Sequence, residues 1–350
     1  MAFSKTSCSL EKNNIKMKKN KQFSVSIMVP TYNRAEMLEQ ALLSLNELDY
    51  PKNKYEVIVV NDGSTDNTKQ VVRKTAKKVS YKLRYLFQEN KKLSAARNLA
   101  IKNAKNQVIV SVDDDMVFPK YWLKKLLAPL KDNKVGAVGG PSIAPKFASF
   151  FQRAVDHCMT TSFVGTGGMI GTTKKSFVKY YPRGGNMAVK KAVLDEVGLF
   201  DEKFIPAEEI DLDKRIEKAG YKLTLAKDAI VWHMPRASLK GFLKQIYSRG
   251  IMKIQFTRRY KESFEFLYFM PLIGVLGIIF LIIFSFFSKF LLHSLLFLIL
   301  AYLLILFIDS LIALKRIKDL RVLIVIPFLM FLQHFTYGLG TLAALFRKPC

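Results

Sequence analysis

The chain has 350 residues, with 55 Lys plus Arg against 28 Asp plus Glu, a formal net charge of +27. That length allows one large or two modest domains. Its 3 cysteines, Cys8, Cys158 and Cys350, have neither paired nor metal-ligand spacing, which argues against a disulfide framework and a cysteine-based metal centre and fits reduced thiols in a cytoplasmic domain.

Met1–Gln22 is basic and polar and lacks an apolar core of signal-peptide length. It reads as a disordered leader, residues 1–22. Ser24–Val29 is then a short apolar run closed by Pro30, a first strand. Ala35–Leu45 has helical apolar spacing. Tyr55–Val60 is a second, β-branched strand. Thr65–Lys77 reads as a helix capped by Ser64 or Thr65. Leu83–Phe87 is a third strand, Ser94–Ala104 a helix capped by Ser94, and Val108–Val112 a fourth strand. Strands and helices alternating at this spacing predict parallel βαβ units. Ligands of such sheets bind at the carboxyl ends of the strands. Thr31-Tyr32-Asn33, Asn61-Asp62-Gly63-Ser64 and Asp113-Asp114-Asp115 fall at such ends.

Three adjacent carboxylates repel one another, and no Lys or Arg lies within four positions of them in the chain. A divalent cation would offset the repulsion, and magnesium is usually held by one or two carboxylates plus substrate phosphates. A solvated acidic turn is the alternative. Downstream, Gly184-Gly185-Asn186 permits close backbone approach, or is simply a loop. Glu208, Glu209 and Asp211 open a helix, where acids suit the dipole. Two neighbouring carboxylates also push one pKa upward, as a general base requires.

The stretches "VSIMVPTYNRAEMLEQALLSL", "YEVIVVNDGSTDNT", "AARN", "VDDD", "GGNMAVKKAVLDEVGLFDE" and "EEIDLDKRIEKAGY" together resemble the family 2 glycosyltransferases of the GT-A fold. The resemblance covers about Phe23 to Trp232. It implies an α/β fold with a Rossmann-like, mostly parallel sheet over residues 23–235. It also implies inverting transfer of a sugar from a nucleoside diphosphate sugar with Mg2+ or Mn2+.

By this resemblance Pro30 and Tyr32 wall the base pocket and Asp62, with Asn61, binds the base. Arg97 lies near the phosphates or sugar, as do Gly185 and Asn186. Asp113 and Asp115 correspond to the D-x-D acids, with Asp114 between them. Asp115, with Asp113 and His233, would hold the metal. Glu209 stands at the position of the catalytic base, beside Glu208. Three positions depart from the family pattern: Asn61 replaces an Asp, Lys91-Lys92 replaces a stretch that usually contains Gly, and Glu209 replaces an Asp. They keep open an alternative, a non-catalytic membrane scaffold that binds nucleotide sugars.

Residues 236–262 form a basic amphipathic stretch. Leu239, Phe242, Ile246, Gly250 and Ile254 recur at helical spacing among Lys240, Lys244, Arg249, Lys253 and Arg258. It reads as an interfacial helix laying the domain on an anionic membrane surface. Gln245 and Arg249 resemble the Gln-x-x-Arg-Trp element of processive synthases, but the spacing differs and Trp is absent, so a single transfer is expected. From Phe266 to Ile308 the only formal charge is Lys289. Spans are expected near 266–287, 290–314 and 322–346 within a region 263–350, since one span needs about 20 apolar residues. Lys315, Arg316, Lys318 and Arg321 put their loop in the cytoplasm by the positive-inside rule. The protein is then a multi-pass cell-membrane protein with a cytoplasmic catalytic domain. Arg347 and Lys348 would fall outside, a conflict that a re-entrant third segment removes. Anchoring suits an acceptor that is lipid-linked, such as a polyprenyl phosphate or a lipid-linked glycan. With no nucleic-acid motif, no nucleic acid is expected as partner.

Overall fold

The computed structural model describes residues 22–162, 164–165, 181–204 and 207–347. The leader up to Lys21, Cys8, Lys348 and Cys350 lie outside them.

Among the described residues, ten strands follow in chain order: β1 Val25–Thr31, β2 Tyr55–Asp62, β3 Lys82–Gln88, β4 Val108–Val112, β5 Met116–Val117, β6 Val135–Gly139, β7 Ser142–Ile143, β8 Asn186–Lys190, β9 Lys222–Leu225 and β10 Val231–His233. Seven of them form one sheet in the order β3-β2-β1-β4-β8-β6-β9. The first four are mutually parallel, and β8 runs antiparallel to β4 and β6. β1, β2 and β4 are buried along their whole length. That is the signature of a parallel sheet covered by helices on both faces. The fold is the α/β, GT-A-like arrangement that the resemblance implies.

The flanking helices are α1 Ala35–Asn46, α2 Thr68–Thr75, α3 Lys92–Asn103, α4 Trp122–Leu127, α5 Phe150–Asp156, α6 Lys191–Val197 and α7 Glu208–Lys218. Two differ from expectation at their start. Ser64 does not cap α2, because its hydroxyl accepts the Asn33 amide at 2.9 Å. Asp66 takes over, accepting the Thr68 amide at 3.0 Å and the Ala35 amide at 3.1 Å. Ser94 does not cap α3, which begins two residues earlier with Lys92 at φ 73°. A left-handed lysine at this point costs what a glycine would not.

The chain then forms α8 Leu239–Arg259, α9 Met270–Ser285, α10 Lys289–Ile317 and α11 Val322–Leu345. Helices α10 and α11, of 29 and 24 residues, are long and apolar enough to cross a membrane. α9 has 16 residues, about 24 Å of helix against about 30 Å of hydrocarbon. It is therefore shorter than the span expected over 266–287.

The apolar face of α8 is occupied by protein. Phe242 and Ile246 join one cluster with Ile326, Leu329, Met330 and Tyr337, and Ile251 and Ile254 pack with Ala344. A Cβ at Gly250 or Gly340 would collide with the backbone of the other helix, so glycine sets their close approach. Both ends of α11 are tied to the catalytic domain or to α8. At its start, the Arg321 guanidinium lies 4.2 Å from the centre of the Phe150 ring, and just before it, in the last turn of α10, Arg316 pairs with Asp156 at 2.7 Å. At its end, Arg258 donates to the carbonyls of Ala344 and Leu345 at 2.8 Å. α8 is itself anchored there, by Arg259–Asp201 at 2.7 Å and by the Tyr260 hydroxyl donating to Asp211 at 2.7 Å.

Candidate active site

Register brings the polar strand ends together. Thr31 pairs with Asn61, and Met28 with Ser111, so β1, β2 and β4 open on one edge. In the small sheet β5-β10-β7, His233 pairs with Met116. That sets the imidazole beside Asp115.

The aspartate triplet meets three basic side chains from elsewhere in the chain. Arg34, at the start of α1, donates to Asp114 at 3.0 Å and to Asp115 at 2.9 Å. Arg97, from α3, lies 3.4 Å from Asp113. His233 Nε2 lies 3.3 Å from Asp115 Oδ1. The charge balance invisible in the local sequence is supplied by contacts distant along the chain. Arg34 was missed by sequence reasoning; its place just after the carboxyl end of β1 was the available signal.

Electrostatics differ along the triplet. Burial, with Asp115 and Glu209 nearby, raises the Asp113 pKa despite Arg97. Burial also raises Asp114, to about 6, against the pull of Arg34. Burial would raise Asp115 too, but His233 and Arg34 outweigh it and hold that carboxyl below its usual value. Burial lowers the His233 pKa, and Asp115 more than reverses this.

Arg97 is the hub of the second half. Its side chain is 1% exposed. Nη1 donates to Glu209 Oε1 at 2.8 Å and lies 3.8 Å from Glu208. A Cβ at Gly184 would strike the Glu209 carboxylate and the Arg97 guanidinium, and one at Gly185 would strike the Asp113 carboxylate. The two glycines thus let this backbone lie against the carboxylates. Glu208 is buried with Oε2 making no hydrogen bond, and burial followed by Glu209 pushes its pKa up to about 7.

The remaining sequence-derived residues divide between the cleft and the interior. Tyr32 is exposed and Pro30 is buried in β1. Asp62 accepts from Gln88 at 2.6 Å and from the Lys91 amide at 2.9 Å. Asn61 is turned to internal work: it donates to the Tyr85 hydroxyl at 2.9 Å and accepts the Ser64 amide at 2.7 Å. Asn186, 0% exposed, accepts from Trp122 Nε1 and donates to the carbonyls of Ala229 and Pro141. Its whole amide is spent locking β8 to α4 and to the segments at Pro141 and Ala229.

Among the described residues, no group of three or more His, Cys, Asp or Glu side chains surrounds a common metal position. The donor chemistry nevertheless suits a divalent cation. Asp115 Oδ1 is buried and makes no hydrogen bond, and it faces one imidazole. Such a partial shell fits an ion that takes its other ligands from phosphate oxygens.

A mixed sheet with acidic and basic side chains gathered at its parallel strand ends defines a GT-A-type transferase fold. The comparisons place the chain more narrowly. The model of "Glycosyl transferase family 2" matches residues 26–198. Glycosyltransferase AglE of Haloferax volcanii is 30% identical over 234 residues, 66% of this chain and 73% of that one. A dolichyl N-acetyl-alpha-D-glucosaminyl phosphate 3-beta-D-2,3-diacetamido-2,3-dideoxy-beta-D-glucuronosyltransferase of Methanococcus voltae is 25% identical over 253 residues, 71% and 77% of the two chains. The mannosyltransferase PcManGT of Pyrobaculum calidifontis, solved with GDP-Man and Mn2+, superposes with a TM-score of 0.60 at 20% identity, covering 94% of this chain and 89% of that one. The chain belongs to glycosyltransferase family 2.

Proposed function

We propose that the protein transfers a sugar, with inversion and one residue at a time, from a nucleoside diphosphate sugar to a hydroxyl of a lipid-linked acceptor. The observation that carries this is the buried Arg97 guanidinium holding Asp113 and Glu209 on one cleft wall, against the Gly184-Gly185 backbone. The Methanococcus relative, whose name specifies a dolichyl phosphate-linked acceptor, supports the acceptor class. The GDP-Man complex of the structural relative supports the donor class.

In this reading Tyr32 and Pro30 flank the base and Asp62 hydrogen-bonds it. Asp115, Asp113 and His233 would hold Mg2+ or Mn2+, which when bound neutralises charge developing on the departing diphosphate. Arg97 fixes Glu209 through Oε1, leaving Oε2 to take the proton from the acceptor hydroxyl. That oxygen attacks the anomeric carbon from the face opposite the diphosphate. The new C–O bond forms as the bond to the diphosphate oxygen breaks, and inversion follows.

The membrane arrangement is part of the proposal. α9 and the amino-terminal part of α10 enter the bilayer as a hairpin, with the exposed Phe286, Phe287 and Phe290 at its tip. α11 lies along the domain beside α8, because both of its ends are pinned there. Lys315, Arg316, Lys318, Arg321 and Arg347 then share the cytoplasmic side with the catalytic domain, as the positive-inside rule asks.

The test is incubation of the membrane-embedded protein with a panel of labelled nucleotide sugars and native lipid extract, with and without Mn2+ or Mg2+. Metal-dependent label in the lipid phase is expected. Metal-dependent nucleotide-sugar binding with no transfer to any lipid would overturn the enzymatic reading in favour of a scaffold.

A further inference from the structure

We propose that a basic cavity on the α8 side of the site seats the phosphate group of a lipid phosphate-linked acceptor. The inference rests on the lipid-linked acceptor reading above. The cavity has a volume of about 530 Å3; among the described residues its lining includes Arg236, Lys244, Gln245, Ser248 and Arg249 and no acidic side chain. Three cations and two neutral hydrogen-bonding groups form a lining for an anion with several oxygens. Lys244, Gln245, Ser248 and Arg249 follow the i, i+1, i+4, i+5 pattern and so share one face of α8. Gly241, one turn earlier, lines the cavity without a side chain to fill it.

The cavity communicates electrostatically with the carboxylate site. Arg236 acts on both Asp115 and His233. Arg249 feels Glu209 in turn, and also Arg183 and Arg236. Burial and the Arg183 charge push Arg249 down to about 9 and Lys253 to about 8. Arginine keeps its proton in proteins, so the cavity wall retains a guanidinium charge at Arg249. The volume falls in the usual range for a ligand pocket and exceeds what a phosphate alone fills. α8 packs its opposite, apolar face on α11. The outer face of α11 carries the exposed Phe328, Phe331 and Phe335, along which a lipid tail can leave while its phosphate meets Lys244 and Arg249, and the sugar hydroxyl points toward Glu209.

The experiment uses full-length protein in neutral phosphatidylcholine nanodiscs and radiolabelled farnesyl phosphate as probe, with farnesol as its uncharged counterpart. Farnesyl phosphate should bind about tenfold or more tightly than farnesol, and Lys244→Glu should weaken it by about tenfold or more. Lys240→Glu, which reverses a charge on the same helix outside the cavity lining, should bind the probe as the wild type does. Nucleotide-sugar binding should be unchanged in Lys244→Glu. Equal affinity for phosphate and alcohol, or unchanged binding in Lys244→Glu, overturns the proposal. Displacement of the probe by bilayer phosphatidylglycerol as readily as by unlabelled farnesyl phosphate also overturns it, because the seat then takes bulk headgroups. An equal loss of nucleotide-sugar binding assigns the cavity to the donor diphosphate instead. Failure of sugar transfer with intact, Lys244-dependent probe binding would sink the enzymatic reading alone.

Discussion

Arg97 Nη1 donates to Glu209 Oε1 at 2.8 Å, across 112 positions of chain. The same guanidinium lies 3.4 Å from Asp113. One fully buried cation thus couples α3, the end of β4 and the start of α7. Removing it leaves Glu208, Glu209 and Asp113 facing one another. Arg97→Ala should destabilise the domain by about 3–5 kcal/mol. Arg97→Lys should keep much of the stability but lose most turnover, because an ammonium cannot bridge two carboxylates as a planar fork does. Thermal unfolding and initial rates, measured on both variants, check the pair.

Glu209→Gln and Asp115→Asn should separate two roles. The first should lower turnover about 10²–10⁴-fold with little change in donor affinity. The second should weaken metal-dependent donor binding itself. Full turnover in Glu209→Gln would remove support for a hydroxyl acceptor, since an ionised phosphate needs no base.

Glu208 gives a stability signature with a definite sign. Its folded pKa is raised from 4.5 to about 7. The folded state therefore binds a proton that the unfolded state has released over that interval. Stability is full below about 4.5 and declines as pH rises toward 7. Glu208→Gln should abolish this decline, so its melting temperature should exceed the wild type at pH 8 and approach it at pH 5. Parallel curves for the two proteins across that range would contradict the assignment.

Lys92 occupies a left-handed conformation within the Lys91-Lys92 stretch where the resemblance leads one to expect a glycine. Lys92→Gly should raise stability by about 1 kcal/mol, the left-handed penalty less the entropy glycine adds to the unfolded chain. Chemical denaturation measures it. A lower midpoint would mean that the lysine side chain compensates for its backbone.

Topology is testable with impermeant maleimide in a Cys8→Ser, Cys350→Ser background. Leu320→Cys and Arg347→Cys should label from the same side of sealed vesicles. Labelling of the two from opposite sides would make α11 a full crossing.

Much was legible from residues alone. The β-branched runs gave β1, β2 and β4, because strands buried on both faces need little else to declare themselves. The apolar tail was equally plain, although its division into one short helix, one long helix and one docked helix was not. The starts of α2 and α3 were misjudged because Ser64 was claimed by a distant amide and a left-handed lysine opened the second helix. Motif order, carried by resemblance, named most of the cleft residues. It also named Asn61 and Asn186, whose amides the folded protein spends internally.

The sequence by itself determined the strand–helix alternation, the gathering of polar groups at strand ends and the apolar character of the carboxyl-terminal quarter. These depend on periodicity and local composition. Only the tertiary structure decided which cation faces which carboxylate, that α11 docks on α8, and where the cation-lined cavity arises. Arg34 and Asp114 are 80 positions apart in the chain and 3.0 Å apart in space. Charge pairing over such separations is set by strand register and helix packing, which no local pattern encodes.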